Sequence, residues 1–224
     1  MTLDNAGIVS PMPRQTLFSS CLYGIVDLGY AEPSDLTRVT TEMLEGGIDA
    51  IQLRAKGHSD SDITDWAREL LPLCRDAGVP FIVNDSPEIA AEIGADGVHV
   101  GQDDAPMDDV RAIVGDEMLV GRSTHSVEQA ANASADPRTD YIGFGPLFST
   151  PTKPDYVPIG TEEIATVHTS HTDLPIFCIG GIKKENLNQV IKAGAKRAVI
   201  VSGILQAPDI AAYVREAKSL LTLS

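Results

Sequence analysis

Short runs of aliphatic and β-branched residues recur along the chain. Each is followed by a loop and then by a stretch whose apolar positions have helical spacing. The runs with strand character are LYGIVD (22–27), DAIQLR (49–54), PFIVND (80–85), GVHVG (97–101), MLVG (118–121), DYIGFG (140–145), PIFCIG (175–180) and RAVIVS (197–202). Helical patterns follow near 33–46, 61–77, 86–93, 107–114, 126–134, 161–168, 184–193 and 207–221. Several stop at a glycine just before the next strand, as in EGGIDAI, DAGVPFI, EIGADGV and KAGAKRAVI. A helix closed by glycine, then a turn, then a strand is the grammar of repeating βα units with parallel strands. Helix starts are marked as well, by Pro33 or Ser34, Ser59 or Ser61, and Ser126 or Val127 with Glu128 nearby. Eight such units in about 200 residues predict a single (β/α)8 TIM barrel rather than an open doubly wound sheet. No GxGxxG follows the first strand, which weighs against a dinucleotide fold. The barrel is expected over residues 21–224 as one catalytic domain. Residues 1–20, with Pro11 and Pro13, are expected to form a loose leader rather than a signal peptide.

Composition narrows the function. The 224 residues are 43% hydrophobic, enough for one large core. Lysine and arginine total 17 against 32 aspartates and glutamates, a net charge of -15. So acidic a surface argues against nucleic acid and anionic membranes as partners. An anionic ligand would need the few cations gathered in one place. Cys21, Cys74 and Cys178 are far apart in apolar contexts, as reduced core thiols of a cytoplasmic protein would be. The histidines show no metal-ligand spacing, and no apolar run approaches the ~20 residues that span a bilayer.

In this fold the active site lies at the C-terminal ends of the strands. Asp85 ends the third strand and Asp104 follows the fourth, so both acids reach the same rim. Neighbouring strands are ~4.8 Å apart, and two carboxylates at that spacing suit Mg2+, with phosphates and water completing its shell. The plain alternative is helix capping or solvation. In AIQLRAK, alternation turns Gln52 and Arg54 inward, with Lys56 beyond them. Either protein groups or a ligand must satisfy them there, and arginine suits bidentate contact with phosphate. Asn84 adds an amide. The loop GPLFSTPTKP offers Thr150, Thr152 and Lys153, although threonine and proline also make ordinary turns. IGGI and VSGI place Gly180, Gly181, Ser202 and Gly203 after the seventh and eighth strands, the recurrent phosphate site of such barrels. Ser123 sits on the fifth-strand rim. His99 alternates inward as a satisfied core histidine or a catalyst, and His125 reads as loop or cap. Together these suggest two anion sites on one rim, one for a magnesium-bound diphosphate and one for a monophosphate. That is the layout of a transferase that displaces pyrophosphate.

The segments QLRAK, VND, GADGVHVGQDD, GRSTHS, DYIGFGPLFSTPTK, IGGI and VIVSGI, in this order and spacing, resemble the thiamine phosphate synthase family from about residue 22 to 221. The family joins hydroxymethylpyrimidine diphosphate to a thiazole phosphate, giving thiamine phosphate and pyrophosphate. The resemblance implies that Gln52, Arg54, Lys56, Asn84, Ser123 and Lys153 bind the pyrimidine diphosphate, with Lys153, Arg54, Lys56 and Ser123 serving catalysis. It implies Mg2+ on Asp85 and Asp104, and the thiazole phosphate on Thr150, Thr152, Gly181, Val201 and Ser202. It also implies a dissociative reaction in which the C–O bond breaks before the thiazole nitrogen attacks. The implied partners are two small phosphorylated substrates, with a homo-oligomer left open.

The chain departs from the family pattern at Ala55, at the end of YGIVDLGY, and at Arg122. Alternation turns Arg122 away from Ser123, toward an expected structural ion pair, with Asp116 and Glu117 close in sequence. The competing functions are a thiazole tautomerase-like isomerase and a non-catalytic phosphate-binding barrel. GQDD and TPTK favour the synthase over both.

Overall fold

The computed structural model describes residues 13–102, 104–150, 157–170 and 174–222. Its strands are β1 (Leu22–Asp27), β2 (Ala50–Arg54), β3 (Phe81–Asn84), β4 (Gly97–Val100), β5 (Leu119–Thr124), β6 (Tyr141–Phe144), β7 (Ile176–Cys178) and β8 (Ala198–Ile200). Each pairs in parallel with the next, and β8 pairs with β1, closing the expected barrel. The helices are α1 (Pro13–Ser19), α2 (Leu36–Glu45), α3 (Asp60–Asp76), α4 (Pro87–Ile93), α5 (Met107–Val114), α6 (Val127–Ala135), α7 (Ile164–Ser170), α8 (Lys184–Lys192), α9 (Ser202–Leu205) and α10 (Ile210–Thr222). Ser59 and Ser126 cap α3 and α6, each accepting a backbone N–H at 3.2 Å.

Strand alternation divides the core in two. One set, including Val26, Leu53, Val83, Val98, Val120 and Ile142, packs outward against the helices. The other, including Tyr23, Ile25, Ile82, Leu119, Tyr141, Phe177 and Val199, fills the barrel interior. Helix α1 lies inside the stretch expected to be a leader, and its Leu17 is 1% exposed against that interior set.

Acids close the lower end in a repeating way. Asp49, Asp96 and Asp140 stand just before β2, β4 and β6. Each accepts a backbone N–H at the start of the preceding odd strand, from Leu22, Phe81 and Val120, over 2.8–2.9 Å. These carboxylates answer donors that the sheet leaves unpaired at its lower edge. Burial raises the pKa of Asp96, the Phe81 N–H opposing that rise. The acids at the upper end have no such duty to the ladder.

β5 runs three residues beyond its expected end at Gly121. Arg-Ser-Thr reads as loop by polarity, yet Ser123 and Thr124 pair with Gly143 and Phe144 of β6. A polar strand end is tolerated there because Ser123 faces a cavity rather than the core.

Candidate active site

A cavity opens at the upper rim and reaches into the barrel. Gln52, Arg54, Asn84, Ser123, Thr150, Gly181, Val201 and Ser202 all line it, so the structure brings together eight of the residues expected from sequence. Its floor is Tyr23, Ile25, Tyr141, Phe177 and Val199, and His99 and His125 contribute to its wall. Thr152 and Lys153 lie outside the described residues.

Two inward polar groups already have protein partners. Gln52, 2% exposed, donates from Nε2 to the Tyr23 hydroxyl at 2.8 Å. Arg54 Nη1 donates to Asp27 at 2.8 Å, and Asp27 also accepts the Gly29 N–H. Asp27 is 1% exposed. The end of the first strand thus supplies the anion that holds Arg54 against the cavity wall.

On the rim above, Lys56 Nζ lies 2.8 Å from Asp85. Asp85 has φ of 62°, a left-handed conformation that aspartate adopts more readily than most residues. Its N–H donates to the His99 carbonyl at 2.8 Å, so the strand ladder fixes the turn that carries the carboxylate. Asp104 accepts the Gly101 N–H at 2.5 Å, and Gln102 donates to the Ser123 carbonyl, tying this loop to β5. No cluster of three or more His, Cys, Asp or Glu side chains poised for a metal occurs among the described residues. Asp85 and Asp104 each offer carboxylate oxygens at the rim, that of Asp85 paired with the Lys56 ammonium. That set fits Mg2+, which takes one or two carboxylates and leaves its other positions to phosphate and water.

The opposite wall is backbone. Gly180 and Gly181 have φ of 96° and 64°. A Cβ on Gly180 would lie 2.4 Å from Pro146, and one on Gly181 2.7 Å from Phe148 Cβ. Leu147 and Phe148 donate backbone N–H groups to Ile179 and Gly180 at 2.9 and 3.0 Å. The glycines thus zip the loop after β6 to that after β7, bringing Thr150 beside Gly181 and Ser202. Gly203 has a different reason from the one sequence suggested. A Cβ there would meet the Tyr213 hydroxyl at 2.4 Å, and that hydroxyl accepts the Lys184 N–H at the start of α8.

Arg122 does not line the cavity, as alternation predicts. The expected ion pair with Asp116 or Glu117 is not formed, and among the described residues Arg122 makes no salt bridge. Its charge acts instead on Asp136, whose carboxyl is held below the usual range by Arg138 first and more weakly by Arg122. Arg122→Val is accordingly expected to leave the KM for an anionic substrate within about three-fold, under 1 kcal/mol. Steady-state kinetics decide this, and a ten-fold rise at unchanged Tm would place the guanidinium in the site.

Sequence reasoning passed over Tyr23, Tyr141 and Phe177, and it read His125 as loop or cap, without a place in the cavity. All four reach the cavity. Alternation carried a signal for Tyr141 and Phe177, which share an inward face with Gly143 and Gly181, and none for Tyr23. His125 bonds through Nδ1 to the Gly145 carbonyl, a loop-to-loop contact with no local signature.

Comparison with known proteins agrees with this geometry. The family described as thiamine monophosphate synthase matches residues 22–204. The thiamine-phosphate synthase of Shouchella clausii is 42% identical over 192 residues, 85% of this chain and 91% of that one. That of Roseiflexus sp. is 44% identical over 195 residues, 87% and 82% of the two chains. The solved thiamine phosphate pyrophosphorylase from Pyrococcus furiosus superposes with a TM-score of 0.82 at 29% identity, covering 94% of this chain and 98% of that one. With a closed eight-stranded barrel and a family match over residues 22–204, the chain belongs to the thiamine monophosphate synthase family.

Proposed function

We propose that this protein is a thiamine phosphate synthase, a transferase that couples 4-amino-2-methyl-5-hydroxymethylpyrimidine diphosphate to 4-methyl-5-(2-phosphoethyl)thiazole. The observation that carries the reading is one cavity with two unlike anion-binding sides. Arg54 lines one side, with the Lys56–Asp85 pair on the rim beyond it, and Gly181, Val201 and Ser202 line the other.

On the first side, Arg54 and Lys56 bind the diphosphate and Asn84 adds a donor. Asp85 and Asp104 would hold Mg2+, which when bound supplies positive charge against the leaving diphosphate. The pyrimidine enters the interior between Gln52 and Ser123. On the second side, Thr150, Gly181, Val201 and Ser202 receive the thiazole phosphate. Thr152 and Lys153 complete the two sides in the family pattern.

The reaction needs no protein nucleophile. The methylene C–O bond breaks, and its electron pair leaves with pyrophosphate. The thiazole nitrogen lone pair then forms the new C–N bond, and the positive charge passes to the thiazolium. The protein's part is to hold the two rings face to face, to bind the departing anion through fixed cations, and to keep water from the cation between. The aromatic and aliphatic floor of Tyr141, Phe177 and Ile179 suits that last task.

The setting is read as cytoplasmic. Cys74 and Cys178 are buried free thiols, each pushed up to about 12 by burial, which leaves them unreactive. Among the described residues, no helix is long and apolar enough to cross a membrane. The partners are the two substrates, without nucleic acid or membrane.

The test is pyrophosphate release with both substrates and Mg2+, compared with either substrate alone. Release only in the complete mixture, matched one-to-one by thiamine phosphate, is the expected result. Interconversion of thiazole isomers without pyrophosphate would identify a tautomerase, and no turnover with retained binding would identify a non-catalytic barrel.

A further inference from the structure

Polar side chains form an unbroken line through the barrel interior. Gln52 Nε2 is 2.8 Å from the Tyr23 hydroxyl, which is 3.2 Å from the Tyr141 hydroxyl. That hydroxyl is 3.1 Å from His99 Nδ1, and His99 Nε2 is 3.0 Å from Ser123 Oγ. The line passes through β2, β1, β6, β4 and β5, and both of its ends face the cavity. Gly121 makes it possible. A Cβ there would lie 2.1 Å from Tyr141 Cζ and 2.5 Å from His99 Nδ1, so any other residue would part the two rings.

Proton counting gives the line a direction. A neutral phenol has one hydrogen to donate. Burial, foremost, raises the pKa of both Tyr23 and Tyr141, so both stay phenols at neutral pH. Tyr23 accepts the Gln52 amide N–H, and its own hydrogen goes to Tyr141. Tyr141 then donates to His99 Nδ1, which must be the bare ring nitrogen. The imidazole hydrogen sits on Nε2 and is donated to Ser123 Oγ. Ser123 turns its own hydrogen to the cavity, while Gln52 turns its carbonyl there. Turning the Gln52 amide over would reverse every link and exchange the two ends.

We infer that this proton-ordered chain sets the polarity of the pyrimidine pocket, with Gln52 presenting an acceptor and Ser123 a donor. That is the complement of an aminopyrimidine, whose exocyclic amino group donates and whose ring nitrogens accept. The 4-oxo analogue in its lactam form reverses the pattern, with a carbonyl that accepts and a ring N–H that donates. Tyr23, Tyr141 and His99 are positioning residues that act through Gln52 and Ser123. The inference rests on the proposed pyrimidine diphosphate reading for its ligand, but the direction of the chain is a property of the protein alone.

Two measurements test it. The first is 15N NMR of the ligand-free wild-type protein, with the His99 ring signals assigned by their loss in His99→Asn. A bare Nδ1 and a protonated Nε2 are expected, and the opposite tautomer overturns the inference. The second is the ratio of kcat/KM for the 4-amino and 4-oxo pyrimidine diphosphates, in wild type and in Tyr141→Phe. The ratio is expected to fall about ten-fold in the variant, carried mainly by a raised KM for the amino substrate. An unchanged ratio in the folded variant overturns the inference. Should Tyr141→Phe not fold, Tyr23→Phe cuts the same chain one link earlier and faces the same outcomes. If the wild type turns over neither pyrimidine, the proposed function fails and the His99 tautomer alone decides the direction of the chain.

Discussion

Asp85→Asn is expected to lower kcat/KM by about 10³-fold with the barrel intact, a loss on the scale of removing one fixed electrostatic contact to a leaving anion. The fold survives because asparagine tolerates the left-handed φ of 62° as aspartate does, and the backbone bond to His99 is untouched. What is lost is charge. The Asp85 carboxylate meets the Lys56 ammonium at 2.8 Å, so a cation already has a place there. Without the carboxylate, neither Lys56 nor a metal ion is held above the diphosphate. Asp104→Asn should behave alike, because an amide oxygen can still accept the Gly101 N–H. The check is kcat/KM across a Mg2+ titration, with circular dichroism for the fold. A near-normal rate at limiting Mg2+ in either variant would remove that residue from the metal site.

The second large effect is expected at Arg54. Arg54→Ala should lower both activity and stability, because one guanidinium serves two purposes. It lines the cavity proposed to take the diphosphate, and it neutralises Asp27, whose side chain is 2% exposed. Removing it strands a buried carboxylate, a loss of about 3 kcal/mol. The double variant Arg54→Ala/Asp27→Asn should recover most of that stability and none of the activity. Urea unfolding and steady-state kinetics on the two proteins separate the effects. If the double variant regained activity, Arg54 would be purely structural.

The barrel was legible because two periods alternate so regularly, and because glycine stops mark the helix ends. Strand placement held to within a few residues, except where Arg122–Thr124 continued β5 on polar residues that face a cavity. The rim acids were visible because each ends an apolar run. The lower-end acids Asp49, Asp96 and Asp140 are just as regular, yet they serve the sheet, and Asp49 and Asp140 also pair with Lys218 and Arg111. Position relative to the strand, before or after it, separates the two sets. Contacts that depend on pairs distant in sequence left no local mark. Asp27 with Arg54, Lys56 with Asp85, and Tyr23 with Tyr141 are of this kind. Arg122 was rightly turned outward by alternation. Its partner was sought nearby in sequence, but its charge acts on Asp136, which the barrel brings close.

The central claim is that one rim holds two unlike anion sites that meet over a shared aromatic floor. A crystal structure with Mg2+, pyrophosphate and thiamine phosphate tests it most directly. Pyrophosphate should lie against Arg54 and Lys56, with the metal on Asp85 and Asp104. The thiamine phosphate group should lie at Gly181 and Ser202, with the pyrimidine between Gln52 and Ser123. Pyrophosphate found at the glycine loops, or both ligands on one side of the cavity, would contradict the account.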